Sequence, residues 1–423
     1  MRRYTGYAEA AAWLEQRAAD LRDPEGSRQA ADIIEAVRSG GDAALSRYTR
    51  QLDGVDADIT VPAAALEEAV RGTEPRLLEA IRVSSARVRA YYERQLEHSS
   101  GFELEDEDGR LGLLVRPLDS VGCYVPGGQA PLFSTLIMSA VPALVAGVER
   151  VVLASPPGPS GLPHPAVLAT ASELGISEVH TMGGAQAVAA LALGTESVRR
   201  VDKVVGPGNR FVMHAKRQLF GEVGIEALPG PTETLVLADA SADVDHVVSD
   251  LLAQAEHAEA VPVFVTDDPD LFEAVLGRLP AAAGALPTAR TALESLKERG
   301  AAVLVTDLAE GLQVANAFAP EHLCLLTADP RSLLPQVRNA GGIFLGATSM
   351  EALGDYAAGP SHIMPTGFSA RFASFLNIRD FQKVIPLLDI GPRLLAEIGP
   401  DAALLARAEG LEAHARAIEA RTD

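Results

Sequence analysis

Val148-Glu149-Arg150-Val151-Val152-Leu153-Ala154 is a short β-branched run, and its surroundings decide how the chain reads. A breaker-rich segment follows, Pro156-Pro157-Gly158-Pro159-Ser160-Gly161-Leu162-Pro163. Then come an Ala/Leu-rich helical stretch from Pro165 to Leu174 and a second short run from Glu178 to Thr181. Strand, helix and strand in that order point to a parallel pair joined by a crossover. Working outward, Lys203 to Val205 and Thr234 to Ala238 read as strands, with Ala185 to Leu193 and Arg210 to Phe220 as helices between them. The pattern resumes at Val261 to Thr266, Ala302 to Thr306, Leu323 to Thr327 and Ile343 to Leu345. Such alternation implies parallel sheets with helices on both faces.

The flanks differ. Ala30 to Arg38 and Leu66 to Arg94 carry helix-period apolar spacing, with turns at Gly40-Gly41-Asp42 and Gly54-Val55-Asp56. Leu394 to Arg421 reads as helical, punctuated by Pro400 and Gly410. A tail of that length has little core of its own and must dock, another subunit being one candidate. The acidic run Glu103 to Asp108 reads as a solvated turn.

Bulk properties narrow the function. The chain has 423 residues, 48% hydrophobic and 22% charged, so it is globular and long enough for two or three cores. A net charge of −21 argues against nucleic acid as a partner. Two cysteines far apart, Cys123 and Cys324, make neither a disulfide framework nor a cysteine zinc site, so a reducing cytoplasm is expected. The polar N-terminus is not a signal peptide. Ser120 to Val148 lacks charge, but Pro126, Gly127, Gly128, Pro131 and Pro142 break it; a buried strand, loop and helix is expected there, and no membrane span.

Four places carry candidate chemistry. Gly354-Asp355-Tyr356 and Ser361-His362-Ile363-Met364-Pro365-Thr366 put a carboxylate, a phenol and an imidazole close together on an expected loop. Gln254 and His257 stand three apart at the end of a helical stretch capped by Ser241 or Asp243, hence on one face. Metal ligands fit this spacing, and so do a surface glutamine and a capping histidine. Glu321-His322 precedes an apolar run, at a strand mouth of the kind where α/β enzymes bind ligands. Neighbours in an extended segment point opposite ways, so the two residues take different roles, or form a turn with a solvated Glu. Three glycine turns end predicted strands: Gly122 to Gly128, Gly183-Gly184-Ala185-Gln186 and Gly206-Pro207-Gly208-Asn209. Their amides can receive phosphate oxygens, yet none is the dinucleotide fingerprint, and tight βα turns need glycine anyway. Cys123 has apolar neighbours and reads as a structural thiol.

Taken together, Gln254 with His257, Glu321-His322, Gly354-Asp355-Tyr356, His362, and Glu409 with His414 resemble the histidinol dehydrogenase family over nearly the whole chain. The resemblance implies oxidation of L-histidinol to L-histidine through an aldehyde, with two NAD and one Zn(2+), in the last steps of histidine biosynthesis. It implies Gln254, His257, Asp355 and His414 as zinc ligands, His322 as general base and Glu321 as activator of water. Thr232, Tyr356, His362 and Glu409 would hold substrate together with the ligands and His322, and Tyr124, Gln186 and Asn209 would contact NAD. It implies a homodimer whose tail reaches the partner's site. The expected fold is α/β: two Rossmann-like parallel-sheet domains with helical N- and C-terminal extensions. The expected boundaries are 1–22 for the N-terminal extension, 23–120 with 234–376 for the zinc and substrate domain, 121–233 for the NAD domain, and 377–423 for the tail. Thr232 stands where the family usually has Ser, and Ser361 where many members have Asn. These departures keep an alternative open: a paralogous NAD- and zinc-dependent dehydrogenase acting on another amino alcohol or diol.

Overall fold

The computed structural model describes residues 1–20, 23–106, 108–127 and 131–422. Two parallel sheets dominate. The larger has six strands in the order Arg2–Thr5, Ala301–Leu304, Val261–Thr266, Glu233–Ala238, His322–Leu326, Gly342–Leu345. The smaller has five: Val179–Thr181, Arg150–Ser155, Ser120–Tyr124, Lys203–Val205, Gly224–Ile225. Their central strands are buried along their whole length, as their unbroken Val/Leu/Ile runs require. Helices cover both faces and give four apolar cores, two against each sheet. The α/β parallel-sheet expectation therefore holds.

Three expectations change. The first residues are not a purely helical extension. Arg2–Thr5 is an edge strand of the six-stranded sheet, paired in parallel with Ala301–Leu304, and helix Gly6–Asp20 follows it. The acidic run is not a turn throughout: Phe102–Asp106 is a strand, antiparallel to Gly109–Pro117, although Glu107 lies outside the described residues. The tail is not helical from residue 377. Gln382–Ile390 is a strand that completes this three-stranded antiparallel arm, and only then come helices Pro392–Ala408 and Glu412–Glu419. The Asp108 carboxylate accepts from the Leu394 amide and hangs the first tail helix on the arm.

The charge-free stretch resolves into strand Ser120–Tyr124 and the buried helix Phe133–Ala146. Among the described residues no helix is long and apolar enough to cross a membrane.

Candidate active site

Strand Glu233–Ala238 leads into helix Val244–Ala255, which runs antiparallel to it and returns the chain to the strand's starting edge. Asp243 caps this helix through the amides of Asp245 and His246. Gln254 lies in its last turn and is 2% exposed, while His257 stands just beyond the end. Gln254 therefore emerges beside Thr232, the residue before the strand, whose hydroxyl donates to Gln254 Oε1 at 2.9 Å. The Gln254 amide nitrogen faces Asp355 Oδ2 at 3.5 Å.

Asp355 and Tyr356 do not lie on a loop, as expected, but close the six-residue helix Glu351–Tyr356; Gly354 is tolerated inside so short a helix. The loop begins only after it. Burial would raise the Asp355 carboxyl, but His322 above all, with His362 and His257, outweighs it and pulls the carboxyl below its ordinary value. Gln254, His257 and Asp355 thus converge from one chain as an amide oxygen, an imidazole and a carboxylate.

Strand His322–Leu326 lies beside Glu233–Ala238 with His322 level with Thr234. Because the strand starts at His322, alternation does not govern Glu321, and both side chains reach the same site. The Glu321 carboxylate accepts from the Thr232 hydroxyl at 2.7 Å and the Glu233 amide at 3.1 Å, and stands 3.6 Å from His322 Nδ1. Burial pushes the Glu321 carboxyl up to about 7, partly opposed by His322. Burial would lower His322, but Glu321, Asp355 and Glu351 outweigh it and raise the imidazole to about 10. A dication bound at Asp355 would offset part of that pull. His322 Nε2 is buried without a hydrogen-bond partner among the described residues and lies 3.7 Å from Asp355 Oδ1.

Sequence reasoning missed Glu351. It is 0% exposed, accepts from the Thr234 hydroxyl at 3.0 Å and lies 3.6 Å from His322 Nδ1. Its signal was the i, i+4 spacing to Asp355, visible only once the segment is read as helix.

His362 Nδ1 donates to the Asp355 carbonyl at 2.9 Å, and its Nε2 faces Thr135 Oγ1 at 3.3 Å. Thr135 belongs to helix Phe133–Ala146 of the five-stranded unit, so this histidine joins the two units at the site. Burial holds its imidazole below the ordinary value. Tyr356 is 57% exposed, and burial of its remainder raises the phenol. Glu409 and His414 are exposed in the tail, where His414 donates its amide to Leu411; among the described residues no hydrogen bond or ion pair joins them to the other candidates. Among the described residues no group of three or more His, Cys, Asp or Glu could hold a metal ion.

A cavity of about 960 Å³ lies on the far side of the 231–233 segment. Arg17, Arg217, Glu233 and Phe372 line it, and none of the converging candidates does. Glu233 there is 1% exposed and paired with Arg17.

The glycine turns sit at the carboxyl ends of the smaller sheet. The Tyr124 hydroxyl accepts from the Gly184 amide at 3.1 Å, and burial pushes the phenol up to about 12. Gln186 is 1% exposed, and its Oε1 has no partner among the described residues. Asn209 caps helix Arg210–Leu219 through the Phe211 and Val212 amides, which leaves its NH2 group outward. Gly206 has φ +121°, and a Cβ there would lie 2.1 Å from the Tyr124 carbonyl oxygen. The buried pair Lys216–Glu226 grips this turn, since Lys216 Nζ donates to the Gly206 carbonyl and Glu226 accepts the Gly206 amide. Gly128, part of the first turn, lies outside the described residues. Cys123 is buried, and burial pushes its thiol up to about 12.

Known proteins resemble this chain over most of its length. The histidinol dehydrogenase family model matches residues 16–422. A histidinol dehydrogenase of Deinococcus radiodurans is 56% identical over 392 residues, covering 92% of this chain and 89% of that protein. One from Thermus thermophilus is 49% identical over 400 residues, covering 94% and 95%. The crystal structure of histidinol dehydrogenase from Elizabethkingia anophelis superposes with a TM-score of 0.93 at 30% identity, over 100% of this chain and 98% of that one. The chain belongs to the histidinol dehydrogenase family.

Proposed function

We propose that this protein oxidises L-histidinol to L-histidine by way of L-histidinal, reducing two NAD, with zinc in the site and the site shared across a homodimer in the cytoplasm. The observation that carries the reading is the partnerless Nε2 of His322, buried beside Asp355 within reach of Gln254 and Thr232.

The donors fit zinc: Gln254 Oε1, a His257 ring nitrogen and the Asp355 carboxylate supply three neutral or anionic N/O ligands, and His414 of the partner subunit would supply a fourth. When bound, the metal would orient the amino alcohol and favour its alkoxide. NAD, held by Tyr124, Gln186 and Asn209, would accept the hydride. The chain's own residues do the rest. His322 Nε2 takes the hydroxyl proton of the substrate. Glu321, buried and held near neutrality, takes a proton from the water that hydrates the aldehyde, and His322 serves again as the hydrate is oxidised. Thr232, with its hydroxyl on both Glu321 and Gln254, ties the water-activating carboxylate to the metal-binding amide. Glu409 of the partner subunit, Tyr356 and His362 would close over the imidazole end of the substrate.

The dimer reading draws support from the arm and tail. Val384, Ile385 and Leu388 on the strand, and Leu404 and Leu405 on the helix, are large apolar side chains left exposed in one chain. The test is NADH formation with L-histidinol, with and without chelator and added zinc. Two NADH per histidinol, lost on chelation and restored by zinc, is the expected outcome. A zinc-loaded dimer that leaves histidinol untouched but oxidises another amino alcohol or diol would replace this reading with the paralogue.

A further inference from the structure

His322 is held from behind by oxygens alone. Its Nδ1 lies 3.2 Å from the Glu233 carbonyl, 3.6 Å from Glu321 Oε2 and 3.6 Å from Glu351 Oε2. A ring nitrogen facing three acceptors must carry the hydrogen, because a lone pair there would be repelled by all of them. In the neutral ring, the state from which a base must start, the hydrogen is therefore on Nδ1 and Nε2 carries the lone pair. The three oxygens are not equivalent. The carbonyl belongs to a ladder strand. Glu321 Oε2 is already committed to the Thr232 hydroxyl and the Glu233 amide. Glu351 Oε2 has no hydrogen-bond partner among the described residues, while Oε1 is anchored by Thr234. The Phe344 ring packs against the imidazole at 5.7 Å between centroids, so the ring plane is constrained as well.

We infer that Glu351 is a positioning residue for the reaction: anchored by Thr234, its carboxyl group fixes the Nδ1–H tautomer and orientation of His322, so that Nε2 aims its lone pair at the substrate hydroxyl. This rests on the proposed role of His322. Glu351 itself touches no substrate. An uncommitted carboxyl oxygen sealed at 0% exposure is costly to keep and needs a partner that gains from it. The imidazolium formed when Nε2 accepts a proton is that partner: an N–H donor at Nδ1 becomes a charged donor, and the free oxygen lies beside it.

The test is Glu351→Gln, which keeps the shape and can still accept from Thr234, but offers an amide donor toward Nδ1 in one of its two orientations. With L-histidinol, kcat should fall about 10-fold or more while KM changes little. Glu351→Asp should recover part of the loss. Zinc content and thermal midpoint, measured alongside, separate this from a damaged fold. A second readout does not depend on the substrate: ring 15N signals of labelled histidine, with His322 assigned by its disappearance in His322→Asn. At a pH where His322 is neutral, the wild type should show a single Nδ1–H tautomer, and Glu351→Gln a mixture. Should Glu351→Gln not fold, Thr234→Val removes the anchor with little change of shape and should move the same signals. Unchanged ring signals in these variants overturn the inference, as does an unchanged kcat. Absence of histidinol turnover in the wild type would overturn the functional reading, while the ring signals still decide the role of Glu351.

Discussion

The two parallel sheets present opposite edges to function. In the smaller sheet the candidate residues Tyr124, Gln186 and Asn209 follow the carboxyl ends of strands, as is usual for α/β folds. In the larger sheet Thr232, Glu321 and His322 sit at the amino ends, and Gln254 joins them because its helix runs back to that edge. The carboxyl edge offers backbone amides and glycines suited to a phosphate-bearing ligand. The amino edge offers ionisable side chains packed so tightly that each sets the charge of the next. On the proposed function, binding and proton transfer would fall to separate units, joined by His362 against Thr135.

The largest effect should come from the amino edge. His322→Ala should lower kcat by about 1000-fold without releasing zinc, read by turnover and metal analysis of the same sample. Zinc loss in that variant would merge proton transfer with metal binding and break the division. Next, His414→Ala should cost about 100-fold in activity or metal affinity. Co-expressed with His322→Ala, it should recover up to about a quarter of the wild-type rate, since about half of the dimers would be mixed and each would hold one whole site of two. No recovery would place the tail on its own subunit's site. At the carboxyl edge, Gly206→Ala forces a Cβ against the Tyr124 carbonyl and should raise KM for NAD about 10-fold, with kcat far less altered. A kcat loss of equal size would mean that the edges are not separable.

The smallest effect concerns stability. Burial pushes the Asp250 carboxyl up to about 6 from its ordinary 3.8. A raised carboxyl favours the folded state while protonated, so that contribution is present below about pH 4 and lost as pH rises through 6. Asp250→Asn should therefore match the wild type at pH 4 and exceed it by about 1 kcal/mol at pH 8, the shift being discounted for partial solvent access. Equal melting at both pH values would remove Asp250 from the crowded charge balance of the amino edge.

Most strands of both sheets were legible because their apolar runs are short, β-branched and bounded by breakers; Gly224–Ile225, two residues long, was not. The antiparallel arm was signalled too, by Phe102 and Leu104 alternating with Glu103 and Glu105, but its acidity masked the period of two. Strand Arg2–Thr5 was hidden by its polar residues, which an edge position tolerates. Gln254 and His257 could be placed on one helix end from spacing alone. Their convergence on Asp355 could not, since it depends on the register that sets His322 level with Thr234. Glu351 went unseen because Gly354 made a short helix look like a loop. The proposed role of His414 is still less accessible, for it would require a second chain.

The edge strand Arg2–Thr5 has a consequence for the order in which the molecule is made. Its partner Ala301–Leu304 leaves the ribosome last of the pair, and Arg2 bonds to the Glu298 carbonyl across a separation of 296 residues. The five strands from Ser120 to Ile225 can associate while the chain is still growing. Arg2–Thr5 must wait, unpaired, until Ala301–Leu304 has been made. The unit that holds the glycine turns can thus form early, and the unit that carries His322 is closed by a strand made long before its partner.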